Sequence, residues 1–353
     1  MRAAVYHGPR DVRIEDVPEP GEPGPGELLL EVTRAAICGT DSAEYAHGPH
    51  LIPLGQQHPG SGHVGPLVLG HEFTGNVVAV GPGVEGLAVG QRVVPGAGVW
   101  CGTCRWCAAG RTNLCARYYT LGLQRDGGLA ERALSPARIC HVVPDGCPDD
   151  AAAMGQPLAV ALHAVRRGEV GEGESVAVLG VGGIGAFIVA AAKARGAFPL
   201  VAVDVKEERL ETARRLGADH VVDARSGGAA RTIVELTGGD GADVVVEASG
   251  VKDAAATAAA AVRRGGRVVL VGLPAGPQRL NLSELTLREV NLTTTVAHVC
   301  DVDLPEAIEI LASTPLASTV LDRIIPLDAL VEEGLVALAD GSASGKILVD
   351  PAA

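Results

Sequence analysis

A strand, a glycine turn and a helix follow one another at residues 175–195, and this unit constrains the fold more than any other segment. A β-branched run at 175–179 precedes Gly180, Gly182 and Gly185, and an alanine-rich stretch follows them. Residues 175–192 carry no charge, but their glycines argue against a continuous membrane span. We therefore predict a strand–turn–helix unit at this place.

The same alternation continues to about residue 297. Strand-like runs occur at 175–180, 199–205, 220–223, 242–249, 266–272 and 290–296, with helical segments at 191–196, 207–217 and 253–265. This pattern predicts an α/β domain with a doubly wound parallel Rossmann sheet over residues 156–297. Residues 1–155 are broken by Gly and Pro into short β-rich pieces, which favours an irregular β-barrel. Residues 298–353 hold one helical pattern and a last strand, KILVD, and are expected to complete the first domain.

Charge and composition limit the possible partners of the chain. Among 353 residues, 42 are acidic and 29 basic, which gives a net charge of −13, and 47% are hydrophobic. Disorder is excluded, and nucleic acid, membrane surfaces and anionic substrates are disfavoured as partners. Arg10, Asp11, Arg13 and Glu15 come before any apolar run of signal-peptide length, so no export signal is expected. We therefore expect a cytoplasmic protein, whose eight cysteines are thiols or metal ligands and not disulfides.

The glycine turn predicts a dinucleotide site. Three G-x-G-x-x-G matches occur in this glycine-rich chain, but only the match at 180–185 lies between a strand and a helix. The candidate contacts in the turn are Gly180, Gly182, Gly183, Ile184 and Gly185. Asp204 ends the next strand, where a carboxylate binds an adenosine ribose and repels a 2′-phosphate, so NAD is favoured over NADP. Lys206 and Arg209 could weaken that preference or be solvated charges, and Arg209 is kept as a candidate cofactor contact.

Four cysteines lie close together in one loop. They are Cys101, Cys104, Cys107 and Cys115. Such spacing is typical of closed tetrahedral zinc sites with a structural role, whereas the alternative is four unrelated buried thiols. Cys140, Cys147 and Cys300 are scattered and are interpreted as ordinary small residues.

A second, sparser group consists of Cys38 in ICGTD and His71 with Glu72 in LGHEFTG. Together with other motifs, this group makes the sequence resemble the zinc-dependent medium-chain alcohol and polyol dehydrogenases over essentially the whole chain. The other motifs are the four-cysteine loop, the segment QPLAVALH at 156–163, the glycine fingerprint and KILVD. The resemblance implies a GroES-like catalytic domain completed by the chain's end and a catalytic zinc in a cleft between the domains. It also implies an NAD-dependent oxidoreductase with two zinc ions per chain.

The resemblance assigns roles to individual residues. Cys38, His71 and Glu72 would hold the catalytic zinc, and Thr40 would relay the alcohol proton. Gln156 stands where related polyol dehydrogenases usually have Glu, so it can offer only a neutral amide oxygen to zinc or its water. Ala43 stands where many relatives carry a relay histidine, which puts that proton route in doubt.

The same resemblance implies how the cofactor and the alcohol meet. Gly272, Leu273 and residues 296–298 would flank the nicotinamide ring. The bound zinc would act as a Lewis acid on the alcohol oxygen while hydride passes to the cofactor.

The 33-residue step from Cys38 to His71 resembles that of butanediol dehydrogenase-like members, so small secondary alcohols and vicinal diols are the expected substrates. Its histidines, at positions 47, 50, 58 and 63, are interpreted mostly as exposed loop residues. The alternatives are sorbitol-, threonine- or cyclitol-type enzymes, a zinc-independent quinone or enoyl reductase, and a non-enzymatic NAD-binding protein. The strand at 290–296 would leave a free sheet edge, which predicts a homodimer or homotetramer.

Overall fold

The computed structural model describes all residues, Met1–Ala353, and the chain divides into two compact units. The first unit joins residues 1–159 to residues 298–353, and the second unit comprises residues 160–297. Both ends of the chain therefore build the first unit, and the second is inserted between them. No helix of the chain has both the length and the hydropathy that a bilayer crossing requires.

Short strands dominate the N-terminal part of the first unit, as its Gly and Pro content predicts. The strands are β1 (Arg2–Gly8), β2 (Asp11–Asp16), β3 (Glu27–Ala36), β4 (Leu67–Val68), β5 (Glu72–Val80), β6 (Arg92–Pro95), β7 (Gly98–Val99), β8 (Tyr119–Thr120), β9 (Arg132–Pro136) and β10 (Cys140–Val142). The helices of this part are α1 (Gly39–His47), α2 (Arg105–Ala108) and α3 (Asp149–Ala152), with 3-10 turns at Thr112–Leu114 and Ala137–Ile139. The longer helix α4 (Gly155–Arg167) leads from the first unit into the second.

The second unit is a six-stranded parallel sheet with helices between its strands. Its strands are β11 (Val176–Leu179), β12 (Leu200–Asp204), β13 (His220–Asp223), β14 (Ala242–Glu247), β15 (Val262–Leu270) and β16 (Asn291–Thr294). Its helices are α5 (Gly183–Ala194), α6 (Glu207–Arg215), α7 (Ala229–Leu236), α8 (Ala254–Ala261) and α9 (Leu282–Leu287), with a 3-10 turn at Ala224–Ser226.

The strand order β13-β12-β11-β14-β15-β16 confirms the predicted doubly wound Rossmann sheet. The central strand β11 is buried along its whole length, which explains its continuous apolar run. One detail differs from the sequence interpretation: residues 262–265 start strand β15 and do not continue helix α8. Val262 pairs with Ala242, and a register shift separates that pair from Val244 with Arg267.

The C-terminal segment returns to the first unit. It contains α10 (Cys300–Ser313), α11 (Leu316–Val320), β17 (Leu321–Pro326), α12 (Ala337–Ala339) and β18 (Lys346–Asp350), with a 3-10 turn at Leu327–Ala329 and a π-helical segment at Leu330–Val336. Strand β18 lies between β17 and β3, so the predicted last strand packs on the first domain.

Strand β3 organises the sheet of the first unit. It pairs with β5 along most of its length on one side. On the other side, its first half pairs with β9, and Ala35 and Ala36 pair with β18. Two register shifts bend the β3–β5 ladder. Because β3 changes partner midway, residues from β5 and β18 meet beside its C-terminal end.

Candidate active site

The glycine turn of the second unit has the geometry that the fingerprint predicts. Helix α5 begins at Gly183 with Gly182 as its N-cap, and Gly180 has a φ of +88°. A Cβ at Gly185 would clash with the carbonyl oxygen of Gly180, so only glycine allows the helix to approach the strand this closely. The free N–H groups at the start of α5 are therefore available to a pyrophosphate.

Asp204 is held rigidly at the end of β12. Its Oδ2 accepts the N–H of Val181 at 2.7 Å, and its Oδ1 accepts those of Val205 and Lys206 at 2.8 and 3.0 Å. Arg209 places Nη1 3.8 Å from Asp204 Oδ2. Asp204 is 6% exposed, and the three N–H donors fix the orientation of its carboxylate.

A cavity of about 500 Å³ opens at this edge of the sheet. Its lining includes Gly180, Gly182, Asp204, Arg209, Ser249 and Lys252, with apolar residues of α7 and α8. It lies beyond the carboxyl ends of β11, β12 and β14, where doubly wound sheets bind nucleotides. The predicted turn, carboxylate and arginine therefore share one cavity in the second unit.

Sequence reasoning missed Glu247 at the end of β14. Its buried Oε1 accepts the N–H groups of Ser249 and Gly250 at 2.7 and 2.9 Å and the Ser249 hydroxyl at 2.5 Å. Gly272 follows β15 and packs against Gly250, and Leu273 is 83% exposed. Neither Gly272 nor Leu273 lines the large cavity, so their contact with a nicotinamide stays a prediction.

In the first unit, the four cysteines of the 101–115 loop converge. Their sulfurs all lie within 4.8 Å of one another, and none forms a disulfide. Backbone N–H groups of Cys101 and Arg117 point at Cys115 Sγ at 3.2 and 3.3 Å. Four convergent sulfurs with N–H donors fit a tetrahedral cation such as zinc.

The pKa values of these thiols differ with their hydrogen bonds. Donation from Thr103 lowers the pKa of Cys101 to about 5, and the backbone of Ala116 lowers that of Cys104. Burial, together with Cys104, raises the pKa of Cys107 to about 11. The loop thus favours the thiolate form of Cys101 and Cys104 but disfavours ionisation of all four thiols. A bound divalent cation would neutralise part of this negative charge and so allow all four thiols to ionise.

Cys38, His71 and Glu72 also converge, with one ligand atom of each within 4.8 Å of the others. Cys38 is the N-cap of α1, and Glu72 opens β5. Gly70 sets the turn before His71: its φ is +97°, and a Cβ there would lie 2.6 Å from the Leu129 nitrogen. One sulfur, one imidazole and one carboxylate form a donor set that suits zinc.

Two buried residues that sequence reasoning missed complete this group. Asp41 accepts the Cys38 N–H at 2.9 Å through Oδ2 and lies 3.4 Å from His71 Nδ1 through Oδ1. Lys346 forms an ion pair with Glu72 Oε2. Asp41 belongs to the CGTD motif and Lys346 begins KILVD, so both residues lie in motifs from which they could have been proposed as site residues.

The charges around this group favour a cation. Burial lowers the pKa of His71, but the negative charges of Asp41 and Cys38 outweigh it and raise that pKa well above 6.5. When a metal binds, His71 must be neutral and Cys38 ionised, so that three negative groups, Cys38, Asp41 and Glu72, face one ammonium, that of Lys346. The net charge of minus two matches a divalent ion.

Among the remaining candidates, Thr40 contacts this group. Thr40, in the first turn of α1, places Oγ1 3.7 Å from Cys38 Sγ. Gln156 is buried in the first turn of α4, and its role as a ligand stays a prediction. Ala43 is exposed on α1.

The long segment after α1 is fastened to the first unit. The buried carboxylate of Glu44 accepts the N–H of His50 at 2.9 Å and that of Leu51 at 2.6 Å, and Gln124 donates to the Leu51 carbonyl at 3.1 Å. His47 and His50 are exposed as expected, whereas His58 and His63 are half-buried. The His58 ring accepts the N–H groups of residues 60 and 61 at 3.2 Å, and burial lowers its pKa, so it has a local structural role.

Comparison with known proteins agrees with this geometry. Residues 24–145 match the family described as alcohol dehydrogenase GroES-like domain, and residues 183–313 match the family described as zinc-binding dehydrogenase. The (R,R)-butanediol dehydrogenase of Bacillus subtilis strain 168 is 33% identical over 99% of this chain and 100% of its own length. The chain belongs to the zinc-dependent alcohol dehydrogenase family.

One further relative and one solved structure show which members of the family this chain is similar to. The sorbitol dehydrogenase of Bacillus subtilis strain 168 is 34% identical, covering 89% of this dehydrogenase and 86% of its own chain. The crystal structure of the 2R,3R-butanediol dehydrogenase from Bacillus subtilis superposes with a TM-score of 0.91 at 32% identity over 99% of both chains. The predicted medium-chain fold and the oxidoreductase class are thereby confirmed.

Proposed function

We propose that this alcohol dehydrogenase interconverts small secondary alcohols or vicinal diols with their ketones, using zinc and NAD. The leading pair is 2,3-butanediol and acetoin. The convergence of Cys38, His71 and Glu72 carries the proposal, because it supplies the donor set for an alcohol-binding zinc. When bound there, zinc supplies a Lewis acid that lowers the pKa of the alcohol.

The residues of the chain would then have distinct roles. Cys38, His71 and Glu72 hold the metal, and Gln156 offers a neutral amide oxygen to it or to its water. Asp41 keeps His71 in one orientation through the 3.4 Å contact with Nδ1. Lys346 compensates the charge of Glu72.

Thr40 is the proposed first acceptor of the alcohol proton. Its hydroxyl lies beside Cys38 Sγ and can both accept and donate a hydrogen bond. Thr40 would thus take the alcohol proton, and NAD, when bound, would accept the hydride from the carbinol carbon. Because Ala43 has no titratable group, the next acceptor is water or the cofactor ribose.

NAD is the proposed dinucleotide because of Asp204. Its carboxylate is fixed by three N–H donors at the rim of the large cavity and would lie beside the adenosine ribose. A 2′-phosphate there would meet this negative charge, while Arg209 offers only partial compensation at 3.8 Å.

The preference for small diols rests on end-to-end similarity and on the segment after α1. The butanediol dehydrogenase relative aligns over 99% of this chain, whereas the sorbitol dehydrogenase relative aligns over 89%. Glu44 fixes the start of the segment, so the segment has a defined position in the first unit. The net charge of −13 disfavours anionic hydroxy acids as substrates.

A substrate panel tests the proposal. With NAD, kcat/KM for 2,3-butanediol should exceed that for sorbitol, threonine and lactate, with simple secondary alcohols in between. Faster turnover of sorbitol or threonine than of every four-carbon diol would assign a polyol or amino-alcohol dehydrogenase instead. Full activity in zinc-free protein would point to a quinone or enoyl reductase.

Cellular location and assembly are parts of the same proposal. We place the enzyme in the cytoplasm, where thiols stay reduced, because all eight cysteines are free. We also propose a homodimer or homotetramer, since β16 is an edge strand and its Leu292 is 43% exposed. Light scattering that gives a monomeric mass would contradict the second statement.

A further inference from the structure

Three metal-binding side chains meet elsewhere in the first unit. His141 in β10 faces Cys300 and Asp301, the first two residues of α10. His141 Nε2 lies 3.7 Å from Cys300 Sγ and 3.8 Å from Asp301 Oδ1, and one ligand atom from each residue lies within 4.8 Å of the others. This group shares no residue with the two sites described above.

The distances are close to those around a tetrahedral cation. Zinc bonds of about 2.3 Å to sulfur and about 2.0–2.1 Å to nitrogen and oxygen place neighbouring ligand atoms roughly 3.5 Å apart. The measured separations exceed that value by a few tenths of an ångström. At 3.8 Å, the imidazole and the carboxylate are too far apart for a hydrogen bond to each other.

The surroundings leave access on one side. Cys300 is 3% exposed, whereas the side chains of His141 and Asp301 are 25% and 61% exposed. Gly96 packs closely against the sulfur, since a Cβ there would lie 2.6 Å from Cys300 Sγ and 3.1 Å from His298 Nε2, so the open side is that of His141 and Asp301. A cation can therefore enter from solvent and complete its coordination with water.

The thiol must lose its proton when a metal binds. Burial, together with Asp301, raises the pKa of Cys300, so the thiol is neutral in the metal-free protein. A metal would displace that proton to solvent, as it does at other thiolate sites. The position of Cys300 in the first turn of the 14-residue helix α10 favours the resulting thiolate.

We propose that His141, Cys300 and Asp301 form a third metal site, selective for a borderline divalent cation such as Zn²⁺. Sulfur and imidazole ligands disfavour Mg²⁺ and Ca²⁺. A metal here links β10 to the start of the returning C-terminal segment, three residues after the chain leaves the second unit. The site has a structural role, and its metal exchanges more readily because one side is open.

Metal titration of the full chain tests this proposal. Enzyme with its two tightly held zinc ions is titrated with Zn²⁺ alone against a chromophoric chelator, and the bound equivalents are counted. Wild type should bind a third equivalent. His141→Gln and Asp301→Asn should each weaken it at least tenfold, and both residues are exposed enough for these variants to fold.

Cys147→Ser is the matched control, because Cys147 is also buried and free but belongs to no such group. This variant should keep the third equivalent. Cobalt gives a second readout: a thiolate-to-cobalt absorption band that accompanies the third equivalent should be lost in Cys300→Ser and kept in Cys147→Ser. A wild type without a third equivalent, or a third equivalent equally tight in the His141 and Asp301 variants, would overturn the proposal.

Discussion

Lys346 forms a buried ion pair with Glu72, and β3 brings the two residues together. Ala36 in β3 pairs with Glu72 on one side and with Leu348 of β18 on the other. The last strand, β18, thus places the Lys346 ammonium beside the carboxylate of Glu72, the residue next to His71.

Replacing Lys346 by Met should destabilise the protein by roughly 3–5 kcal/mol, because Glu72 would remain as an uncompensated buried charge. Urea unfolding of the zinc-depleted protein measures this loss. Lys346→Arg keeps the charge and should lose less. Equal stability of the Met variant and wild type would contradict the importance of the pair.

Glu44→Ala should loosen the segment after α1. It removes the acceptor for the N–H groups of His50 and Leu51 and should cost about 1–3 kcal/mol. Hydrogen exchange at residues 50–54 should accelerate, and KM for 2,3-butanediol should rise. Gln57→Ala, which removes an exposed bond to Gly62, is the control and should change neither measurement.

Asp204→Ser should shift cofactor use from NAD toward NADP. The change removes a charge that opposes a 2′-phosphate by a few kcal/mol at an effective dielectric of about 20, so the ratio of kcat/KM values should move by at least tenfold. Glu208→Gln, an exposed acid on α6, should leave the ratio near that of wild type. A wild type that prefers NADPH would point instead to Arg209 as a phosphate ligand.

The two cysteine sites should respond differently to loss of one sulfur. Cys104→Ser opens the four-sulfur site and should lower Tm, because a closed metal site contributes directly to folding. Cys38→Ser should abolish turnover with a much smaller change in Tm. Calorimetry and zinc analysis of both variants check this, and a Cys104→Ser protein with unchanged Tm would remove the structural role.

Alkaline stability should depend on Tyr6. Its buried hydroxyl donates to the Glu44 carbonyl at 3.0 Å, and burial, together with the Glu44 charge, raises the pKa of Tyr6 from 10.0 to about 12. The folded state therefore holds this proton more tightly than the unfolded state. The resulting stabilisation is complete below pH 10 and disappears as the pH rises through 12.

A matched variant isolates this contribution. Tyr6→Phe should be less stable at pH 8 by about 1 kcal/mol for the lost hydrogen bond, and its stability should fall less between pH 10 and 12. Unfolding curves across that range provide the measurement. Parallel pH profiles for the two proteins would show that another group controls the alkaline limit.

What the sequence could predict depends on how local each signal is. The turn at 180–185, the alternation of strands and helices and the four cysteines within fifteen residues are local patterns, and the structure has all of them. The pairing of Glu72 with Lys346 is set by the partners of β3, which no local pattern encodes. Cys300 and His141, 159 residues apart, were likewise invisible as a pair. The predicted role of Gln156 as a zinc ligand depends likewise on the distance between α4 and Cys38, which no local pattern encodes.

The position of β18 has a consequence for how the protein is made. A ribosome releases the second unit in full before α10, so its parallel sheet can fold while synthesis continues. The sheet of the first unit stays incomplete, because Ala35 and Ala36 of β3 lack their second partner strand until residues 346–350 leave the ribosome. Nascent chains truncated before Lys346 should therefore bind nucleotide but expose an incomplete sheet, which makes this stage of translation the one at which aggregation or chaperone capture is most probable.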